Sequence, residues 1–231
     1  MSDSFTVRLD SADQTTAVFY RAEPPSRNAT LILAHGAGAP QTSAFIVTFA
    51  EDLAGRGLDV VTFNFPYMEA GRRLPDPPAR LEACWRSVVE AVRGRDVGAN
   101  RVFLSGKSLG GRIASHIAAG GGETATQSAG LILLGYPLHP PGKPEKLRTA
   151  HLARIAVPML FIQGSRDPFG SPDELRPVFE QLAAPASLHI VEGGDHSFST
   201  PRRMGLSKAD VFASIQERMI AWIDDLAAPG A

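Results

Sequence analysis

The chain has 231 residues, of which 44% are hydrophobic and 20% are charged, and these proportions are typical of a globular domain rather than of a disordered or fibrous chain. We expect one domain over residues 1–231, since a chain of this length commonly folds as a single unit. The formal net charge of −1 leaves no basic excess to attract nucleic acid or an anionic membrane, and we expect neither as a partner.

The first residues and the single cysteine bear on the cellular compartment. The segment MSDSFTVRLD has neither the basic start nor the apolar run of a signal peptide, and no apolar stretch reaches the roughly 20 residues that span a bilayer. We therefore expect a cytoplasmic protein. Cys84 is the only cysteine, so no intramolecular disulfide can form, and its apolar neighbourhood predicts a buried thiol rather than a reactive one.

Short β-rich runs alternate with longer amphipathic segments along the chain. The runs predicted as strands are 5–9, 17–22, 30–36, 59–65, 101–106, 130–135, 158–164 and 187–193. The segments predicted as helices are 43–56, 79–93, 109–119, 172–183 and 207–227. This alternation predicts an α/β fold with a mostly parallel, twisted sheet and helices on both faces, while the first two strands are expected to pair antiparallel.

A dinucleotide-binding Rossmann fold is the structural alternative for this pattern. It would need G-x-G-x-x-G after the first parallel strand, but HGAGAP offers only Gly36 and Gly38, with Gln41 in place of the third glycine. Two strands of antiparallel appearance also precede this segment. We therefore favour a different α/β fold.

The segment SGKSLGGR carries the most specific motif of the chain. Gly106, Ser108 and Gly110 match G-x-S-x-G, and they lie between a predicted buried strand and a predicted helix. The turn is too tight for side chains at the two glycines, and it exposes the serine hydroxyl at the carboxyl end of the sheet, facing the N-terminus of the helix. A serine that only caps the helix is the alternative. We expect Lys107, inside the motif, to be a solvated surface residue.

This motif in this setting resembles the nucleophile elbow of α/β-hydrolases. The compact chain looks most like the dienelactone-hydrolase-like and other small predicted-hydrolase branches of that superfamily, and the resemblance covers nearly the whole chain. It implies an α/β-hydrolase fold, a nucleophile, acid and base in that order along the chain, and hydrolysis without a cofactor.

The resemblance also implies where the base and the acid should lie. Of the six histidines, only His196 follows the final predicted strand, in GGDHSF, whereas His189 falls inside that strand. Asp167, in FIQGSRDPFG, leaves the end of an earlier strand, and we expect the neighbouring Asp195 to shape the histidine loop. With Ser108 these residues are the expected triad. The alternatives are a solvated loop histidine and an aspartate that only forms a turn.

Two backbone N–H groups are expected to form an oxyanion hole. Leu109 follows the nucleophile and would supply one of them. The segment HGAG follows the third strand, and resemblance to H-G-x families nominates Ala37 for the other. We expect His35 to brace this loop rather than to transfer a proton.

Loops after other strands are expected to line the substrate pocket. Tyr67 follows one such strand, and Tyr136 and His139 belong to a proline-rich segment, 136–156, at the place where the superfamily carries a cap or lid. This segment is short, so a minimal cap is expected. Basic residues in these loops hint at an anionic substrate group, although solvated charges are the default. They are Arg72, Arg73, Lys143, Lys146 and Arg148.

The sequence therefore predicts a serine hydrolase that cleaves a carboxylic ester or thioester of a small-molecule acyl substrate through an acyl-enzyme. Metal-binding motifs such as H-E-x-x-H and paired cysteines do not occur, and no metal is expected. A lyase, a haloperoxidase or an acyltransferase could use the same triad. From another class, a non-catalytic protein of this fold that binds a partner or a ligand is the alternative.

Overall fold

Eight strands form one sheet in the computed structural model, which describes residues 2–9, 13–95, 101–121 and 127–227. The strands are β1 Ser2–Arg8, β2 Gln14–Tyr20, β3 Ala29–Ala34, β4 Asp59–Phe63, β5 Arg101–Lys107, β6 Ser128–Leu134, β7 Met159–Gly164 and β8 Ala186–Val191. The helices are α1 Ala44–Gly55, α2 Pro66–Glu69, α3 Pro78–Arg93, α4 Leu109–Ala119, α5 Pro172–Phe179 and α6 Lys208–Asp225. Loops contain the short 3-10 helices Leu152–Arg154 and Arg202–Met204.

The strands lie in the order β1-β2-β4-β3-β5-β6-β7-β8. β2 pairs antiparallel with β1 and with β4, while every other pairing is parallel, so the predicted mostly parallel sheet with an antiparallel opening pair is confirmed. The parallel register brings Ala34, Gly106 and Leu133 level with one another. The loops that follow β3, β5, β7 and β8 therefore leave from one edge of the sheet, where open α/β sheets bind their ligands.

Helices cover both faces of the sheet, as predicted. Phe49 of α1 and Trp222 of α6 belong to the buried cluster on one face, and Trp85 of α3 belongs to the cluster on the other. Successive residues of β5 alternate between these faces: Phe103 belongs to the first cluster and Leu104 to the second. Each large apolar side chain stabilises the fold by about 1.5–3 kcal/mol when fully buried. The two clusters therefore hold the strands in position, and with them the loops at the carboxyl ends of the strands.

Several predicted elements are shorter than expected, and the bonding of the chain explains two of them. The strand predicted over 59–65 ends at Phe63, because Pro66 occupies the first turn of the short helix α2, which was not predicted. The helix predicted over 172–183 ends at Phe179, where the next N–H groups bond to carbonyls three residues back instead of four.

Across the four described ranges, no helix is both long enough and apolar enough to cross a membrane. The cytoplasmic location and the single domain over residues 1–231 stay predictions.

Candidate active site

A sharp turn joins β5 to α4 and holds Ser108 between them. The serine has φ 50° and ψ −112°, backbone angles that residues other than glycine rarely adopt, so the backbone is strained at this residue. Gly106 and Gly110 permit the turn. A Cβ on Gly106 would lie 2.3 Å from the carbonyl carbon of Gly110, and a Cβ on Gly110 would lie 2.6 Å from the carbonyl oxygens of Ala34 and His35. The motif thus forms the strand–turn–helix geometry of a nucleophile elbow.

The structure brings together the three side chains that were expected to form a triad. His196, in the loop after β8, has its Nε2 atom 2.9 Å from the Oγ atom of Ser108. Its Nδ1 atom lies 2.8 Å from the Oδ2 atom of Asp167, in the loop after β7. The imidazole therefore bridges the hydroxyl and the carboxylate, with one ring nitrogen directed at each.

The carboxylate of Asp167 is held at both of its oxygens. Its side chain is fully buried. Its Oδ1 atom accepts the N–H of Phe169 at 2.8 Å, and its Oδ2 atom also accepts Nε2–H of Gln163 at 3.0 Å. A charge buried to this degree needs such donors to be stable. These bonds fix the direction in which the carboxylate meets His196.

Asp195 shapes the histidine loop, as expected. Its Oδ1 atom accepts the backbone N–H groups of Ser197 and Ser199 at 2.8 and 2.9 Å. On the other side of the loop, the ring of Phe169 packs against the imidazole of His196, with 4.2 Å between centroids. The loop therefore has its own internal support in addition to the bond to Asp167.

Lys107 is not the solvated surface lysine that was expected. Its Nζ atom donates to the carbonyl oxygen of His196 at 2.5 Å and lies 5.2 Å from the ring centroid of Phe198. Burial lowers the pKa of Lys107 to about 8, although the charges of Asp167 and Asp195 act in the opposite direction. The expectation was wrong because the residue before the elbow serine stands at the end of a central strand, where the loop after β8 covers it.

His35 braces the loop after β3. Its side chain is fully buried, its Nδ1–H donates to the carbonyl oxygen of Gly36 at 2.7 Å, and its Nε2 atom accepts the N–H of Phe65 at 3.0 Å. Burial lowers the pKa of His35 to about 4, so the imidazole is neutral at neutral pH. Both nitrogens are thus engaged with the backbone, which leaves neither for proton transfer.

Two backbone N–H groups beside Ser108 are available to a ligand. Leu109 is the first residue of α4, a position without an intrahelical acceptor, and Ala37 is exposed on the loop after β3. In the described part of the chain, neither N–H takes part in a hydrogen bond, and both residues line the cleft at Ser108. An oxyanion hole requires donors in this arrangement.

Tyr67 supports the Ala37 loop and does not line the cleft. Its side chain is fully buried, and its hydroxyl donates to the carbonyl oxygen of Ala37 at 3.0 Å. Burial raises the pKa of Tyr67 to about 12. This position does not fit the direct substrate contact expected of Tyr67, because α2 turns the side chain under the loop.

The other two residues expected to contact substrate also lie away from Ser108. The buried Tyr136 donates its hydroxyl to the carbonyl oxygen of Arg148 at 2.6 Å. The buried ring of His139 has its Nε2 atom 3.1 Å from a carboxylate oxygen of α5. Neither is among the described residues that line the cleft, to which the segment 136–156 contributes Pro137 and Arg148 instead. The two side chains hold this segment together from inside.

The cleft consists of two pockets that share Ala37, Ser108 and Phe169. The first, of about 430 Å³, extends over α1, and we call it the α1 arm. Its other lining residues include Phe45, Ile46, Lys107, His196 and Lys208. The second, of about 290 Å³, extends over α4, and we call it the arginine arm. Its other lining residues include Arg112, Arg148, Asp76, Leu81, Pro137 and Leu109. A substrate bound at Ser108 thus has room on two sides.

Arg112 is a cleft residue that the sequence analysis missed. It follows Ser108 by four positions on α4, and its N–H donates to the serine carbonyl at 2.9 Å. Residues four apart lie on the same side of a helix, so the helical spacing was a usable signal. Arg148, which was expected to be solvated, lines the same arm.

Neither a candidate metal site nor an accessible thiol occurs among the described residues. Within the four described ranges, no group of three or more His, Cys, Asp or Glu side chains could hold a metal ion. Cys84 is buried in the core, as expected, and burial raises the pKa of its thiol to about 12.

Comparison with known proteins shows the family. Residues 27–224 match the family model of an alpha/beta hydrolase domain, and the chain belongs to this family. An alpha/beta serine hydrolase homologue from Coxiella burnetii superimposes with a TM-score of 0.74 at 19% identity, covering 95% of this chain and 96% of that one. An alpha/beta serine hydrolase without a lid, from Xanthomonas campestris, has a TM-score of 0.74 at 21% identity, covering 96% and 94%.

A dienelactone hydrolase from Anabaena variabilis superimposes with a TM-score of 0.75 at 18% identity, covering 97% of each chain. At these identities the likeness shows the fold. The α/β-hydrolase fold and the resemblance to that superfamily, both predicted from the elbow motif and its setting, are confirmed.

Proposed function

We propose that this protein is a serine hydrolase that cleaves a carboxylic ester or thioester of a small molecule through an acyl-enzyme intermediate. The observation that carries the proposal is the unbroken hydrogen-bonded series from Ser108 through His196 to Asp167, built on a strained turn at the cleft. Membership of the alpha/beta hydrolase family supports hydrolysis as the reaction class. The absence of a cofactor requirement follows from the mechanism, since a serine and a base suffice for acyl transfer.

In the first half-reaction, the Oγ atom of Ser108 attacks the substrate carbonyl carbon while its proton passes to Nε2 of His196, 2.9 Å away. Asp167 accepts Nδ1–H, which keeps Nε2 free to act as the base and stabilises the imidazolium that forms. The tetrahedral intermediate then breaks its bond to the leaving oxygen or sulfur. The imidazolium returns the proton to that atom, and an alcohol or thiol leaves an acylated serine behind.

In the second half-reaction, a water molecule takes the place of the alcohol or thiol. His196 accepts one proton from the water as its oxygen attacks the acyl carbon. Collapse of the second tetrahedral intermediate breaks the bond to Ser108, and the same proton returns to Oγ. One water is consumed, and the products are a carboxylic acid and an alcohol or thiol.

Both tetrahedral intermediates carry a negative oxygen, and we assign its stabilisation to the N–H groups of Ala37 and Leu109. Each donor of such a pair is worth about 10²–10³-fold in kcat in comparable sites. The N-terminus of α4 adds a favourable dipole at the same place. Tyr67 and His35 contribute by fixing the position of the Ala37 loop from behind.

Labelling with a fluorophosphonate probe tests the proposal most directly, because the probe reacts only with an activated serine. We expect the wild-type protein to be labelled and Ser108→Ala to be unlabelled. Ser197→Ala is the matched control: Ser197 also lines the cleft at the α1 arm, but Nε2 of His196 is directed at Ser108. It should be labelled like the wild type.

A panel of 4-nitrophenyl esters and matched thioesters then separates the two bond types. Turnover that depends on Ser108 and His196 would support the mechanism. A folded wild-type protein that is neither labelled nor active on any of the panel would overturn it and would favour the alternative, a non-catalytic protein of this fold that binds a ligand.

A further inference from the structure

The arginine arm of the cleft carries two positively charged side chains close to the candidate nucleophile. Arg112 belongs to the first turn of α4, and Arg148 belongs to the segment 136–156 on the opposite wall. Both line the same pocket of about 290 Å³ as Ser108. Most of the remaining wall is apolar, with three prolines and two leucines. An anion entering from Ser108 would thus meet two guanidinium groups in a partly desolvated space.

Arg112 is incompletely satisfied within the protein. Its Nε atom is buried and has no hydrogen-bond partner among the described residues. Burial, and then the positive charge of Arg148, lower the pKa of Arg112 from its usual value, while Tyr136 and Glu82 act in the opposite direction. In the described ranges, neither forms an ion pair with a carboxylate. A buried donor without an acceptor costs free energy that a bound anion would recover.

Two carboxylates near the arm are already engaged with other side chains. The Oδ1 atom of Asp76 lies 2.8 Å from Arg72 and 3.6 Å from Arg80, while its Oδ2 atom is buried without a partner. Glu82 contacts the ring of His116 at 2.9 Å. Asp76 thus pairs with two arginines that do not line the arm, and the two arginines that do line it outnumber its one carboxylate.

The backbone of Arg148 is held in place. Its N–H donates to the carbonyl oxygen of Leu138 at 2.8 Å, and its carbonyl oxygen accepts the hydroxyl of Tyr136 at 2.6 Å. A loop whose backbone is held in this way loses less conformational entropy on binding than a mobile loop does. The backbone of Arg112 is held by α4. The backbone positions that carry the two cations are therefore in place before a ligand binds.

We propose that the arginine arm binds a carboxylate of the substrate, so that the protein prefers esters or thioesters that carry a second, ionised carboxyl group beside the scissile bond. This inference rests on the proposed hydrolase function. Guanidinium groups bind carboxylates through paired, charge-assisted hydrogen bonds, and Arg112 with its unpartnered Nε–H offers this chemistry beside Arg148. The larger α1 arm would take the uncharged part of the substrate.

Substrates that differ only in charge test this preference. 4-Nitrophenyl hydrogen adipate and its methyl ester place an anionic or a neutral end on the acyl side, and 4-carboxyphenyl butyrate and its methyl ester do so on the leaving-group side. We expect kcat/KM to be at least tenfold higher for the anionic member of one pair. The ratio of anionic to neutral kcat/KM should fall at least tenfold in Arg112→Gln and in Arg148→Gln.

Arg203→Gln is the matched control, since it removes one exposed positive charge far along the chain from the arm. It should leave the ratio within twofold of the wild type, which excludes a general effect of net charge. Because Arg148 lies in a loop, its variant keeps the test informative even if Arg112→Gln folds poorly. A wild-type ratio near one in both pairs, or a ratio that neither arginine variant lowers, would overturn the inference.

Binding of adipate to Ser108→Ala, measured by calorimetry, tests the arm without turnover. The affinity should fall at least tenfold when Arg112→Gln is added, and no binding to Ser108→Ala would count against the inference. A protein that the fluorophosphonate labels but that shows no charge preference would retain the proposed function and lose this inference. A protein that binds adipate through Arg112 but is never labelled would lose the proposed function instead.

Discussion

Replacement of Asp167 by asparagine would remove the charge while keeping the shape of the side chain. In the native structure both carboxylate oxygens only accept: Oδ1 accepts the N–H of Phe169, and Oδ2 accepts from His196 and Gln163. An asparagine has one oxygen and one NH₂ group, so Asp167→Asn must direct a donor at a donor in either orientation of its amide.

The two orientations have different consequences for catalysis and the same consequence for stability. With its oxygen towards His196, the amide preserves the His196 tautomer that carries its proton on Nδ1. The imidazolium then has no neighbouring negative charge, and the NH₂ group of the amide faces the N–H of Phe169. With its NH₂ group towards His196, it forces Nδ1 to accept, so Nε2 carries the proton and can no longer act as a base towards Ser108. We expect kcat to fall by about 10³–10⁴-fold.

Stability should fall as well, because a buried donor is left unsatisfied. The expected loss is about 1–3 kcal/mol, and for a chain of this size each kcal/mol lowers Tm by about 2–4 °C. The assays are ester hydrolysis under saturating substrate and thermal unfolding followed by circular dichroism. The matched control is Asp195→Asn, in which one oxygen can still accept both loop N–H groups. This control should retain activity within a few fold.

A folded Asp167→Asn protein whose kcat lies within tenfold of the wild type would refute the assignment of Asp167 as the acid. The same conclusion would follow if Asp195→Asn lost as much activity, since the effect would then belong to the loop and not to the carboxylate. Loss of stability without loss of activity would identify Asp167 as a structural residue of the turn after β7.

Three further predictions concern packing and ionisation. Gly110→Ala should destabilise the fold by about 3 kcal/mol, measured by urea unfolding, because its Cβ would meet two backbone carbonyl oxygens at 2.6 Å. The control is Gly55→Ala at the end of α1, where a Cβ meets nothing within 4 Å. This variant should be neutral or slightly stabilising. Burial lowers the pKa of Lys107 to about 8, against 10.5 for an unburied lysine, so its charge destabilises the folded state below pH 8 and this cost is lost as the pH rises towards 10.5. The free energy of unfolding relative to Lys107→Met should therefore rise by on the order of 1–3 kcal/mol between neutral pH and about pH 10, and an unchanged difference would contradict the burial of the charge. Cys84, whose thiol pKa burial raises to about 12, should react with a thiol reagent only as the protein unfolds in urea, and rapid reaction of the native protein would show that the core opens at α3.

Several features of the site could be predicted because they depend on local rules. The G-x-S-x-G motif after an apolar strand specifies a turn that only glycines permit at Gly106 and Gly110, so Ser108 could be placed without knowledge of the rest of the chain. The resemblance to α/β-hydrolases implied an acid and then a base in loops after later strands, and Asp167 and His196 follow β7 and β8. The distances that join these three side chains agree with that expectation, while their catalytic roles stay a proposal.

The direction of the side chains in the surrounding loops could not be predicted. Tyr67 lies in the segment that follows β4, and Tyr136 and His139 lie in the segment that follows β6, yet each turns inward and bonds to another part of the protein. Lys107 was expected in solvent, but the loop after β8 covers it, and the carbonyl oxygen of His196 accepts its hydrogen bond. These outcomes depend on contacts between segments far apart in the chain, and no local pattern encodes them.

The sequence by itself determined that the sheet is mostly parallel, that a nucleophile elbow follows β5, and which residues lie in the loops at the carboxyl ends of the strands. It could do so because apolar periodicity and glycine positions act over a few residues at a time. Tertiary structure alone decided which loop side chains reach the cleft and which support it. It also decided that Arg112 and Arg148, separated by 36 positions in the chain, line one arm beside Ser108. The physical reason is that burial and hydrogen bonding of a loop side chain depend on its neighbours in space, which are assembled only when the sheet and its two helical layers have packed.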